Sequence, residues 1–426
     1  MQLSDVFLRA TRATFGPERF ERYMAAFGEE APVSIRLNPR KTAGLTVSEG
    51  ERVAWCEQGY YLPHRPNFTF DPLLHAGCYY VQEAASMFLD AVLRQLLPAH
   101  PVEMLDLCAA PGGKSTLALA ALPEGSRLWT NEPVRNRASI LLENITKWGA
   151  PNCVVTNNYP HDYVRCGLQF DVILCDVPCS GEGMFRKDPA TIGEWSPQHV
   201  EQCWRLQREI VADAWQCLRP GGLFIYSTCT FNILENEENI RWMLTALDAQ
   251  PLGIDTSADW HLTGSLLEGF TAPVYRFIPG VTRGEGLFMC AMRKREASPC
   301  PLQKEGGRKE KGRKGKENAL TILPSPLSTH PSPATTHPSP LTTHPSPATT
   351  SPAVPLSYAQ ALAYLRREAL VLPADAPLGI VDVAFQDHVL GQVKNIGSRA
   401  NNLYPKEWKI KTTHIPTDYE AILRPA

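Results

Sequence analysis

From Val102 to Leu247 short apolar runs alternate with segments of helical period, and this alternation restricts the fold more than any other feature. Val102–Leu107, Arg127–Glu132, Cys153–Asn157, Phe170–Val177 and Leu223–Thr228 read as strands. Gly112–Leu122, Val134–Trp148, Val200–Leu218 and Glu237–Leu247 read as helices, and Arg-Pro-Gly-Gly stops the third of them. Repeated strand–helix units with apolar strands imply a parallel sheet covered by helices. Phe270–Phe277 and Gly286–Arg293 suggest an antiparallel pair that closes it. The fold class is α/β, and ligands of such open sheets bind outside the carboxyl ends of the strands. Residues at those ends are therefore the candidates for chemistry.

The stretch Phe170–Pro189 places Asp176 and Cys179 at one such end. Pro178 ends the ladder, and the small residues after it leave the backbone open to a ligand. On this evidence Cys179 looks like a catalytic thiol. A second candidate loop, Cys108-Ala109-Ala110-Pro111-Gly112-Gly113-Lys114, follows a strand and opens a helix, where the helix terminus favours an anionic group. The text PGGKST imitates a phosphate-binding loop. A Walker sequence needs glycine five residues before Gly113, and that position is Cys108. Nucleoside triphosphate binding is rejected on that ground. Glu132 ends the next strand, where an acid accepts hydrogen bonds from a ribose diol. Glycine loop plus acid predicts a nucleoside cofactor, and these features leave NAD and S-adenosylmethionine both open. Cys229, in Tyr226–Thr230, ends a further strand. Carboxyl ends of neighbouring strands converge, so Cys179 and Cys229 can face one pocket although 50 residues apart.

The flanks differ in character. Residues 1–30 have helical periodicity, Pro32–Pro39 a short strand, and Gly77–Met87 a strand feeding a helix. This block is expected to pack on the core. The net charge of −2 hides ten Lys/Arg and three Glu within residues 293–316, about +7 in that window, which attracts polyanions. Residues 329–350 repeat THPSPAT-like text and cannot offset chain entropy, so a disordered linker is expected over 294–356. Its three histidines lie between prolines without a second ligand type, and no metal is assigned. Residues 357–426 regain globular character, with Lys394, Lys406, Lys409 and Lys411 near Tyr404 and Trp408, a mixture that suits RNA. Twelve cysteines without a C-x-x-C pair argue against a zinc ribbon. No apolar leader and no 18-residue apolar run is present, so a cytoplasmic monomer off the membrane is expected.

DLCAAPGGKST (106–116, with Leu105 ahead of it), DVPCSGEGMFRKDP (176–189) and YSTCTFNILENEENI (226–240) resemble motifs I, IV and VI of the NOL1/NOP2/Sun family of RNA 5-methylcytosine methyltransferases. Text at Ser34–Pro39 and 77–87 extends the resemblance toward the amino terminus, and Gly379–Gly397 resembles the PUA-like RNA-binding region of bacterial members. The resemblance implies a Rossmann-like class I core using S-adenosyl-L-methionine, over residues 96–293. It implies an amino-terminal region over 1–95 and a PUA-like domain over 357–426. Cys108, Ala109, Ala110, Pro111, Gly112, Gly113 and Lys114 would wrap the cofactor, Glu132 its ribose, and Asp176 both cofactor and base. Asn158 is the isosteric candidate for the family's adenine-side aspartate, with Tyr159 as the alternative. The family gives the attack to the motif VI cysteine, here Cys229. It gives product release to the motif IV cysteine, here Cys179, with Lys114 as the nearby positive charge. Arg186 and Lys187 could hold phosphates. The implied substrate is 16S ribosomal RNA, free or within the small subunit. A ribosome assembly factor without turnover and a DNA cytosine methyltransferase are the other readings weighed.

Overall fold

The computed structural model describes residues 3–296, 319–324, 352–412 and 414–426. The 329–350 repeat with its histidines, and most of the basic run, lie outside the described residues. In the amino-terminal module, α1 (Asp5–Phe15) is capped by the Ser4 hydroxyl, which accepts from the Phe7 amide, and α2 (Pro17–Ala25) starts on a proline that needs no helical donor. The strands β1 (Val33–Leu37), β2 (Leu45–Val47), β3 (Glu51–Arg52) and β4 (Gly59–Leu62) follow, then α3 (Pro72–His75), β5 (Tyr79–Val81) and α4 (Leu89–Leu96). They build an antiparallel sheet in the order β3-β4-β1-β5, with β2 apart.

The core follows as β6 (Glu103–Asp106), α5 (Gly113–Ala121), β7 (Arg127–Asn131), α6 (Arg135–Trp148), β8 (Cys153–Thr156), α7 (Pro160–Arg165) and β9 (Phe170–Asp176). It continues through α8 (Thr191–Glu194), α9 (Pro197–Cys217), β10 (Leu218–Thr228), α10 (Glu237–Ala246), β11 (Ala249–Leu252), β12 (Tyr275–Phe277) and β13 (Leu287–Lys294). The sheet runs β11-β13-β10-β9-β6-β7-β8, with β12 beside β13. Strands β6 to β10 are mutually parallel, and β13 is antiparallel to β10. Strand order reverses between β6 and β9, so the loops after them diverge and leave a crevice there. The expected helices and strands are present within a few residues. One differs: β10 begins at Leu218, not Leu223, and absorbs Arg-Pro-Gly-Gly as a register shift. A Cβ on Gly222 would stand 2.7 Å from Leu218 Cδ1, so glycine lets the bulge form directly after the helix stops at Cys217.

The carboxyl-terminal module contains β14 (Val354–Pro355), α11 (Tyr358–Leu365), β15 (Gly379–Phe385), β16 (His388–Asn395), β17 (Ala400–Asn402) and β18 (Leu423–Pro425). It does not stand apart. Its last strand, β18, pairs with β2 of the first module. Ile35, Leu37, Leu62 and Leu73 share one apolar core with Leu362, Leu365, Val383 and Val393. The amino-terminal block thus packs on two bodies. Arg36, buried on β1, donates to Gln82 Oε1 (2.7 Å) and Thr116 Oγ1 (2.7 Å), which fastens that sheet to α5. Phe7, Phe15, Phe20 and Tyr23 meet Phe185 and Phe231 in a separate aromatic cluster, so α1 and α2 brace the loops after β9 and β10.

The expected linker is corrected at two places. Val354–Pro355 pairs with β15, and Ala319–Pro324 lies along β8 with an antiparallel bridge between Thr156 and Ile322. Ala-Leu-Thr-Ile-Leu-Pro carries apolar residues on both faces, unlike the repeat after it. It can therefore cover a sheet edge.

The core contains a fully buried ion pair. Arg276 on β12 donates from both terminal nitrogens to Glu237 at the start of α10 (2.9 and 2.8 Å), and neither side chain is exposed. Arg276→Met leaves Glu237 charged and unpaired. It is expected to lower stability by about 3–5 kcal/mol in denaturant unfolding, and Arg276→Met with Glu237→Gln to recover much of it.

Candidate active site

The loops after β6, β9 and β10 meet at the crevice. Asp176, the last residue of β9, stands in register with Ser227 on β10. Its two oxygens are held separately: Ser227 Oγ donates to Oδ1 (2.6 Å) and Lys114 Nζ to Oδ2 (2.8 Å). Lys114 reaches there because α5 starts at Gly113, immediately after the glycine turn. Burial disfavours its charge, but the Asp176 carboxylate outweighs that, and the Lys114 pKa is raised. The Cys229 sulfur also acts on Lys114 electrostatically.

Cys179 Sγ and Cys229 Sγ lie 3.2 Å apart, although separated by 50 residues. The hydrogen bond to Cys229 and then burial push the Cys179 thiol well above the ordinary range. Either sulfur can be the donor across that contact. The contact brings the two candidate thiols of the sequence into one pocket.

Two buried carboxylates hold the cysteine loops, and sequence reasoning did not assign either to the site. Glu182 Oε2 accepts from the Phe231 and Asn232 amides (2.8 and 2.9 Å), while its Oε1 takes the Trp195 indole N–H (3.0 Å). Glu235 accepts from the Ser180 amide (3.0 Å), Gln207 Nε2 (2.6 Å) and Asn232 Nδ2 (2.7 Å). Each ties the β9 loop to the β10 loop. A glutamate inside an apolar-bounded loop was the available signal.

At the other side of the crevice, Gly112 has φ +112, and a Cβ there would stand 3.2 Å from Leu141. The backbone of Cys108–Gly113 thus approaches closely with nothing projecting from Gly112. Glu132 is buried; its Oε1 accepts from the Val134 amide (3.0 Å) and its Oε2 faces Arg137 (3.3 Å). Each oxygen retains a lone pair for a diol. Asp106 ends β6 fully buried. Ser115 Oγ donates to its Oδ2 (2.6 Å), and its Oδ1 has no partner. Glycine turn, buried acid and unpartnered carboxylate oxygen suit a nucleoside with a charged tail.

Several expected roles change. Both amide groups of Asn158 are occupied by the Thr321 backbone: Nδ2 donates to its oxygen (3.1 Å), and Oδ1 accepts from its nitrogen (2.8 Å). Tyr159 is 69 % exposed beside it. Arg186 pairs with Glu285 (2.7 Å) and donates to the Ala26 carbonyl, so it braces α2 and is not free for phosphate. Tyr404 is buried against Tyr364 and Trp408 and serves the module's own core. Among the described residues, no group of three or more His, Cys, Asp or Glu could hold a metal. No helix among them is long and apolar enough to cross a membrane.

Protonation of the buried acids couples to stability. Burial raises Glu235 to about 7, Asp106 to about 7 and Asp71 to about 6. The folded chain then binds more protons than the unfolded chain between about pH 4 and 7, so stability falls as pH rises through that window. Unfolding at pH 6 and 8 is expected to favour pH 6 by about 1 kcal/mol for each of Glu235 and Asp106. Glu235→Gln should remove its share of the slope.

Comparison with known proteins converges on one family. Residues 94–293 match the family described as 16S rRNA methyltransferase RsmB/F. Residues 3–84 match the N-terminal domain of 16S rRNA methyltransferase RsmF, and 351–410 the methyltransferase RsmF PUA domain. Ribosomal RNA small subunit methyltransferase F of Serratia proteamaculans is 33 % identical over 323 residues, covering 71 % of this chain and 65 % of that protein. The Escherichia coli O9:H4 protein of the same name is 34 % identical over 315 residues, 69 % of this chain and 64 % of that one. The chain thus spans just under two thirds of these relatives' length. A methyltransferase homolog from Pyrococcus horikoshii superposes with TM-score 0.58 at 26 % identity, over 68 % of this chain and 95 % of that one. NSun6 from Pyrococcus horikoshii, solved with SFG, superposes with TM-score 0.58 at 20 % identity, over 69 % of this chain and 99 % of that one, and shares the fold. With its sheet order, its crevice and its flanking modules all accounted for, the chain has the class I S-adenosylmethionine-dependent methyltransferase fold and belongs to the RsmB/F family of 16S rRNA methyltransferases.

Proposed function

We propose that the protein transfers a methyl group to C5 of cytosine in ribosomal RNA of the small subunit, through a covalent bond between Cys229 and C6. The observation that carries this reading is the pair of thiols 3.2 Å apart beside the Lys114–Asp176 pair. Binding alone requires neither thiol.

S-adenosylmethionine is the family's cofactor, and bound here it supplies the methyl group as an electrophile. Cys108–Gly113 would hold its amino-acid and ribose parts through backbone groups, and Glu132 its ribose hydroxyls. The chain's own residues do the rest. C5 of cytosine is a weak nucleophile. Addition of the Cys229 thiolate to C6 forms an S–C6 bond and makes C5 enamine-like. Charge then builds at N3, where the Lys114–Asp176 pair provides the proton donor. Lys114 is the group of that pair that carries a donor, since both Asp176 oxygens accept, from Ser227 Oγ and Lys114 Nζ. Once C5 carries the methyl group, its proton passes to solvent water, the S–C6 electrons leave with the Cys229 sulfur, N3 returns its proton to Lys114, and aromaticity returns. Cys179, held as a thiol against Cys229, donates to the departing sulfur. The base must leave its stack to reach this edge, and the PUA-like module offers an RNA contact away from it.

The test is incubation of the full chain with methyl-labelled S-adenosylmethionine and 16S ribosomal RNA, followed by nucleoside analysis. 5-Methylcytidine is expected. Binding without transfer would instead favour an assembly factor. Transfer to duplex DNA that survives loss of Cys229 would favour a DNA enzyme that attacks through Cys179. Bisulfite sequencing of ribosomal RNA from a deletion strain would locate the site.

A further inference from the structure

The strap Ala319–Pro324 lies against the strand end where the nucleoside part of the cofactor is expected. Leu323 N donates to Val155 O (2.8 Å) and Asn157 N to Thr321 O (3.0 Å), extending the β8 edge. Leu320 packs against the cluster of Trp129 and Tyr163, and Leu323 against the one containing Leu128 and Val155. The strap therefore anchors on both faces of the sheet. Its Thr321 backbone also takes both groups of the Asn158 amide.

From Asn158 the hydrogen bonds run straight into the crevice. Asn131 Oδ1 accepts from the backbone N–H of Asn158 (3.0 Å), and Asn131 Nδ2 donates to Asn158 O (2.9 Å) and to Leu107 O (3.0 Å). Leu107 immediately precedes the Cys108–Gly113 loop. Asn157 Nδ2 donates to the carbonyls of Glu132 and Pro133 (2.7 and 3.0 Å). The strap is thus wired to the glycine loop through the buried Asn158 and Asn131, and to the ribose acid through the half-buried Asn157.

We propose that residues 319–324, between the methyltransferase core and the PUA-like module, form a structural part of the cofactor site. Thr321 and Asn158 act as positioning residues that fix the Glu132 and Leu107 backbones for cofactor binding. This rests on the reading of the crevice as the S-adenosylmethionine site. Asn158 then serves through its neighbours, since its amide is already paired. Binding is reciprocal: if the strap orders the site, the cofactor must order the strap.

Two measurements on the full chain test this. In the first, Leu320→Ser with Leu323→Ser, and separately Leu323→Pro, which removes the donor to Val155, are titrated with S-adenosylhomocysteine by calorimetry. Affinity is expected to fall about tenfold, as loss of one or two such bonds implies. In steady-state assays KM for S-adenosylmethionine should rise in step, with kcat at saturating cofactor within about twofold. Unchanged affinity in folded variants overturns the proposal. In the second, hydrogen exchange of the wild-type chain is followed with and without S-adenosylhomocysteine, which needs no variant to fold. The amides of Thr321 and Leu323 should exchange several-fold more slowly with ligand. No change there, with ligand bound, equally overturns it. A wild-type chain that binds no S-adenosylhomocysteine would sink the cofactor reading itself, a distinguishable result.

Discussion

Cys229→Ser abolishes methyl transfer to ribosomal RNA, with an expected loss of at least about ten-thousand-fold in kcat, the scale seen when a covalent nucleophile is removed. Serine keeps the shape of the side chain, so the aromatic brace and the Glu182 and Glu235 clamps remain. An alkoxide is far less accessible than a thiolate near neutral pH, and C6 addition fails. Cofactor affinity should stay within about twofold of wild type, because Glu132 and the Cys108–Gly113 backbone, the groups that would hold the cofactor, are unaltered by the change. A variant that still produced 5-methylcytidine at a tenth of the normal rate would exclude Cys229 as the attacking group.

The second large effect is of the opposite kind. With Cys179→Ala, addition and methylation proceed but the S–C6 bond breaks slowly, since the donor 3.2 Å from Cys229 is gone. A covalent protein–RNA adduct should then accumulate and persist in denaturing gels. Multiple turnover should drop about a thousandfold, the scale of a lost general acid, while the first methyl transfer stays near normal. The double variant Cys179→Ala with Cys229→Ser should show no adduct. If Cys179→Ala turned over freely and left no adduct, Cys179 would have no part in release.

Much of this was readable from residues in order. Strand–helix alternation gave the parallel sheet, and strand ends gave Asp176, Cys179, Cys229, Glu132 and the 108–114 loop as candidates. Those residue types lie at fixed positions relative to local apolar runs, so local pattern suffices to find them. Other features could not be read this way. Arg186 looks like a phosphate ligand beside Lys187, yet Glu285, 99 residues later, takes its charge. Asn158 looks like an adenine contact, yet Thr321, 163 residues later, takes its amide. The segment around Thr321 sits in text dominated by lysine, proline and threonine, where six apolar-rich residues leave little trace.

The sequence by itself determined the class of sheet, the residues at its carboxyl edge and the family they resemble. Only folding brings the Cys179 and Cys229 sulfurs to 3.2 Å from each other. It also decided that the first and last modules share one core and that the strap closes the β8 edge. The physical reason is common to all three. Periodicity and capping act over a few residues and leave a local signature. Desolvation and hydrogen-bond partners depend on what the whole chain brings together, and that has no signature until the chain has folded.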